Sequence, residues 1–220
     1  MVPYTRIENT PLSERISTLL KDAIIEGHFK SGEEIVLTAI AEQYGVSRTP
    51  VREAFQQLAK DGFLTLRMNK SAIVVGIDEH FLRNHYEIRA VLEAQAASDA
   101  AANAKDCREL IRIQEYGERI PLPMSLEEFR TYNQMFHRCI WNLSGNERLS
   151  QMLSDMWVSS YSSSALPEIN RQTRTLNSHR RLVNDIISHD SDACFEHMKA
   201  HIMGSLNNIL KILDEGKKEA

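Results

Sequence analysis

The chain has 220 residues, 42% apolar and 25% charged, with a formal net charge of −4 at pH 7. It is long enough for one large domain or two modest ones with a sizeable core, and its ordinary composition leaves the globular class open. The charge excludes a generally basic nucleic-acid binder, so an acidic polymer would need a local patch; no run reaches the ~18 apolar residues of a membrane span, and no secretory signal opens the chain, which makes the cytoplasm the default location with no membrane partner.

From Leu12 to Glu26 the apolar residues Leu12, Ile16, Leu19, Leu20, Ala23 and Ile24 form a helical stripe that ends at Gly27. Ser31-Gly32 turns the chain, and Thr38 is placed to N-cap a short helix, TAIAEQYG, ending at Gly45. Three residues later begins VSRTPVREAFQQLAKDG, with Ser47 as N-cap and Pro50 in the first helical turn. A proline costs little there, because those N–H groups have no intrahelical acceptor. Val51, Phe55 and Leu58 then face inward, while Thr49, Arg52, Glu53 and Gln56 face outward and Arg48 projects from the helix start. FLTLR and AIVV, separated by MNKS, read as a hairpin with Lys70 at its tip. Helix, helix, helix and two-stranded ribbon make a winged helix-turn-helix, assigned to residues 1–76.

In such a unit the exposed start of the second helix of the motif enters the major groove. Arginine grips phosphate or donates two hydrogen bonds to guanine, so Arg48 and Arg52 suit DNA. The bland alternative is an amphipathic surface helix with solvated arginines; the helix, turn and ribbon around it favour the DNA reading.

Residues 77–220 change character. Helical stripes run near 79–104, 106–118, 125–143, 147–164, 170–189 and 191–214, punctuated by Pro121, Pro123, Gly145 and Pro167. The fold class is therefore mainly α: the winged helix-turn-helix followed by an all-α bundle of six or seven helices. Residues 1–77 balance nine basic against nine acidic side chains, whereas 78–220 hold 17 and 21, the whole of the −4. Cys107, Cys139 and Cys194 are odd in number and far apart, which fits small buried apolar residues and no disulfide framework. Asn133 and His137 lie one turn apart at the inner face of their stripe, His179 lies within its own, and His201 flanks another while His197 faces water. Buried polar groups need mutual hydrogen bonds, a ligand or a metal. Three imidazoles suit Zn²⁺ or Ni²⁺, and a hydrogen-bonded cluster around water fits the same spacing.

The stretch IAEQYGVSRTPVREAFQQLAKDGFL, with AIIEGHFKSGEEI before it, resembles the GntR superfamily of bacterial transcription regulators over about residues 12–75. The resemblance places Thr38, Arg48, Thr49, Arg52 and the wing tip at Lys70 on DNA; Ser31 stands where proline is common, and Ser71 where the wing usually has glycine. EIRAVLEAQAA, FHRCIWNLSGN and the pair His179 and His201 make the rest look like the FCD ligand-binding domain of the FadR-like subgroup. Metal-binding members would use Asn133, His137, His179 and His201, with Asn133 in place of an Asp, a poorer and uncharged ligand. By the same resemblance Arg89 meets an effector's carboxylate; otherwise it pairs with Glu93 at i+4 on a solvated helix, or lies at a dimer contact. Trp157, Tyr161 and SSYSSS line the pocket or merely pack.

These features predict a transcription regulator, a repressor, binding double-stranded DNA at a palindromic operator as a homodimer and responding to a small carboxylate effector. Two other classes stay open at this point. One is a metal-dependent hydrolase built on His137, His179 and His201, although no nearby residue stands as general base as the Glu of H-E-x-x-H does. The other is a DNA-binding protein with no effector.

Overall fold

The first stripe folds as α1 (Leu12–Ile25) in the computed structural model, which describes residues 11–25, 27–68, 70–76, 78–157 and 169–218. Ile16, Leu20 and Ile24 are buried, but Leu19 is exposed: one residue before Leu20, it points ~100° away from the buried row. A short strand, β1 (Glu34–Val36), runs directly into α2 (Leu37–Tyr44), and α3 spans Arg48–Lys60. The ribbon is β2 (Leu64–Arg67) and β3 (Ser71–Val74). Together they form an antiparallel sheet of order β1-β3-β2, with Ile35 opposite Ala72 and Thr65 opposite Ile73. The ribbon thus has a third strand, which three residues of EIV were too few to announce by period.

Thr38 is not the cap of α2. Val36 holds that position in extended conformation, and Thr38 is the second helical residue. The cause is tertiary: the Leu37 N–H, which has no acceptor within the helix, donates to the Lys70 carbonyl of the wing at 2.9 Å. At the other end Gly45, at φ 64°, closes α2 in the left-handed conformation that glycine adopts without strain. Val51, Ala54, Phe55 and Leu58 of α3 pack with α1 and the sheet residues Ile35, Leu64, Ala72 and Val74 into one apolar core. Ser71, in extended conformation, donates its hydroxyl to Glu34 at 2.5 Å.

The chain divides into two compact units, Met1–Asp78 and Glu79–Ala220. The second is all-helical among the described residues: α4 (Glu79–Asn103), α5 (Arg108–Arg119), α6 (Leu126–Leu143), α7 (Glu147–Met156), α8 (Ile169–Ile187) and α9 (Ser191–Lys218). The row Ala90, Ala94, Ala97 and Ala101 on α4 has no bulk, so α9 approaches closely with Met198, Ile202 and Leu206. At the start of α6 Ser125 accepts from the Glu128 N–H while Glu128 accepts from the Ser125 N–H, a reciprocal cap that fixes where the helix begins. α7 stops at Met156, and Trp157 is extended. The end of the stripe expected to 164, with Tyr161 and SSYSSS, lies outside the described residues. No described helix is long and apolar enough to cross a membrane.

Candidate functional site

In the first unit, burial of Val51, Ala54, Phe55 and Leu58 leaves Arg48, Thr49 and Arg52 on the exposed side of α3. Ser47 occupies the N-cap position with extended backbone, although its side chain makes no capping bond. Lys70 is exposed at the wing tip, and Thr38 is half-buried in the first turn of α2. The Leu37–Lys70 backbone bond joins those two places. Met68, beside the tip, is 97% exposed, a large apolar side chain the sequence reading passed over.

In the second unit, α6, α8 and α9 bring His137, His179 and His201 together, one ring nitrogen of each within 4.8 Å of the others. His179 and His137 are fully buried, and the Phe136 ring stacks on His179 at 3.8 Å and 2° between planes, which sets the orientation of the imidazole. The Nε2 atoms of His179 and His201 face each other at 3.3 Å. Burial, and then the neighbouring His201 and His137, holds His179 well below the ordinary imidazole range. Burial, and then His137, pushes His201 down to about 3.

Hydrogen bonds around the cluster determine which nitrogens carry protons. Gln114 donates through Nε2 to Glu118 at 2.6 Å and to the Leu176 carbonyl at 3.1 Å, so its Oε1 accepts from the Tyr132 hydroxyl at 2.8 Å. Burial raises the Tyr132 phenol far above its usual range, so it keeps its proton and spends it on Gln114. Its contact with His179 Nδ1 at 2.8 Å therefore requires the ring to donate, leaving the lone pair on Nε2. His137 likewise donates Nδ1–H to Glu93 at 3.0 Å, which turns its Nε2 inward. This is the tautomer that metal-binding histidines are held in by carboxylate or hydroxyl partners.

Glu93 is the centre the sequence reading did not find. Fully buried, it accepts from Arg89 Nε and Nη2 at 3.1 and 2.9 Å on one oxygen, and from His137 and Trp141 Nε1, the latter at 2.7 Å, on the other. Burial alone would raise its carboxyl, but the His137 and Arg89 charges and the bonds from His137 and Trp141 outweigh this and hold it at about 2. The i+4 pairing of Arg89 with Glu93 is thus present, but buried where a solvated helix face was the alternative reading: Arg89 is 7% exposed. Its guanidinium lies 4.6 Å from the Trp157 ring and lines a cavity of about 50 Å³ with Asn133, His137 and His201. That volume holds roughly three or four waters. The Asn133 amide makes no hydrogen bond among the described residues. Trp157 Nε1 is buried there without a partner. His197, expected to face water, is partly buried and bonded to Asp185 at 2.6 Å. The donor set fits a metal: three imidazoles, two of which donate outward through Nδ1 and so aim Nε2 into the cluster, and an uncommitted amide oxygen beside them.

A winged helix-turn-helix joined to an all-helical unit with a polar central cavity defines the class of DNA-binding transcription regulators. Residues 12–74 match the gntR family of bacterial regulatory proteins and residues 84–204 match the FCD domain; the chain belongs to the GntR family, in the group that carries an FCD domain. Among its relatives are the HTH-type transcriptional regulator YdhC of Bacillus subtilis, 28% identical over 95% of this chain and 96% of that one. The Nta operon transcriptional regulator of Aminobacter aminovorans is 31% identical over 84% and 89%. The solved structure of Escherichia coli McbR/YncC superposes with a TM-score of 0.70 over 93% of this chain and 100% of that one, at 20% identity, which establishes the fold. Family and relatives are transcription regulators, so the protein is not an enzyme and the hydrolase reading is set aside.

Proposed function

We propose that the protein is a cytoplasmic repressor that binds a palindromic operator as a homodimer, and that a small carboxylate in the helical unit changes its affinity for that operator. The observation that carries the effector half is Arg89: a buried guanidinium lining a cavity of about 50 Å³ beside three clustered histidines. Arg48, Thr49 and Arg52 supply base and phosphate contacts from the exposed start of α3, with Lys70 and Thr38 on flanking phosphates. A dimer seated on an operator blocks an overlapping promoter without any further contact. His137, His179 and His201, with the Asn133 amide, would hold Zn²⁺ or Ni²⁺, which when bound supplies a Lewis-acidic anchor for a carboxylate oxygen. Arg89 orients the other oxygen, and Trp157 Nε1 offers it a donor.

Gel-shift titration of wild type and Arg52→Ala against operator DNA tests the first half. The variant loses specific binding while staying folded and dimeric; retained specific binding removes Arg52 from the interface. Repeating the wild-type titration with a panel of small acids tests the second half. A coupling of about 1–3 kcal/mol shifts operator affinity roughly 5- to 150-fold. Identical affinity with every acid leaves a DNA-binding protein without an effector.

A further inference from the structure

α8 carries more arginine on one face than its surroundings neutralise. Arg171, Arg174, Ser178 and Arg181 recur at helical spacing and line a groove of about 240 Å³ against α9. Arg174 and Arg181 make no ion pair among the described residues, whereas the adjacent Arg180 is paired with Glu118. Among the described residues no aspartate or glutamate lines the groove. Across residues 78–220, where 21 acidic side chains outnumber 17 basic ones, that is a reversal of local charge. Like charges three residues apart on a helix repel, and among the described residues no acidic side chain offsets Arg174 and Arg181.

The groove is not separate from the central cavity. Arg171, Thr175, His201, Ser205 and Asn208 line both, so a ligand held at Arg89 has a polar path into it. On the α9 side Gly204 presents open space, a Cβ there meeting nothing within 4 Å. Thr175 and Ser178 add hydroxyl donors of the kind that complete an oxyanion shell, whereas Ser205 donates to the His201 carbonyl at 3.2 Å.

We propose that this groove is a second anion site and that the effector is therefore a dianion, one acid group at Arg89 and a second, carboxylate or phosphate, held by Arg174 and Arg181. The inference rests on the carboxylate reading of the central cavity and narrows it to molecules with two acid groups. Arginine forks grip either kind of oxyanion bidentately, so the chemistry is shared and the probes separate the sources.

Calorimetry on the full chain at fixed ionic strength tests it, with acetate (one carboxylate), succinate (two carboxylates) and 3-phosphoglycerate (a carboxylate and a phosphate) as probes. Wild type binds at least one dianion more tightly than acetate. R174Q/R181Q, both changes on exposed side chains, loses that advantage by roughly tenfold or more and binds acetate unchanged. Which dianion responds names the second group. Equal dianion binding by wild type and double variant, or no advantage of either dianion over acetate, overturns the groove. Failure of the central reading looks different: acetate does not bind wild type, or Arg89→Met leaves its affinity unaltered, while arginine-dependent dianion binding persists and the groove stands.

Discussion

Because both N–H groups of the Gln114 amide are committed to Glu118 and Leu176, its oxygen is left to accept the Tyr132 proton, and His179 must then donate from Nδ1. One phenol thus decides which nitrogen of a buried imidazole is free to bind a metal. Tyr132→Phe keeps the ring and removes only the hydroxyl, so it isolates that role. The variant is expected to hold Zn²⁺ or Ni²⁺ about 10- to 100-fold more weakly in competition with a chelator, the range found when outer partners of metal ligands are removed. Urea denaturation should show a loss of about 1–3 kcal/mol, since Gln114 and His179 are both left with an unmet buried group. Wild-type metal affinity in this variant would mean that something other than Tyr132 sets the His179 tautomer.

At the scale of elements, α5 positions that phenol by what it lacks. A Cβ on Gly117 would stand 2.3 Å from the Tyr132 ring, so the glycine lets α6 lay the ring flat against α5. Gly117→Ala gains helix propensity yet forces a rigid ring to move, a net cost of about 1–3 kcal/mol. Gly204→Ala, on α9 with open space around it, should instead stabilise by up to about 1 kcal/mol. Thermal melts of opposite sign for the two glycines check the argument; two shifts of the same sign defeat it. Gly117 gave no sign of this in the sequence, where a glycine inside a helical stripe reads as a minor defect. The helices themselves were legible, because their apolar rows recur over three or more turns and bury one face. β1 was not: three residues carry no period, and it exists because β3 offers it an edge. Thr38 was misplaced by the same kind of cause, a backbone bond from Leu37 to a wing 33 residues further along the chain.

Across the whole molecule, local spacing located the candidate ligands but not what holds them. Asn133, His137, His179 and His201 could be placed on inner faces from their stripes, since an apolar row points at a core whatever that core contains. Glu93 was visible only as the i+4 neighbour of Arg89; its bonds to His137 and Trp141 span 44 and 48 residues, beyond any spacing rule. The result is a helical unit whose centre is one carboxylate, one guanidinium and three imidazoles, and its stability follows acid in a definite direction. The folded-state pKa values of His179 and His201 lie below the ordinary 6.5 of a free imidazole, the latter at about 3. As pH falls through 6.5 the unfolded chain takes up protons that the folded chain refuses, so unfolding is favoured increasingly from there downward. Glu93, held at about 2 against 4.5, acts in the same sense further down, its contribution draining away between those values. Metal-stripped protein is therefore expected to be most stable above pH 7 and to lose about 2 kcal/mol for each imidazole kept neutral at pH 5. Urea midpoints at pH 7.5 and 5.0, read on the Trp141 and Trp157 fluorescence of the helical unit, measure it. A midpoint that does not fall at pH 5.0 would show that the folded cluster accepts protons as readily as the unfolded chain, and the neutral state of His179 and His201 would go with it.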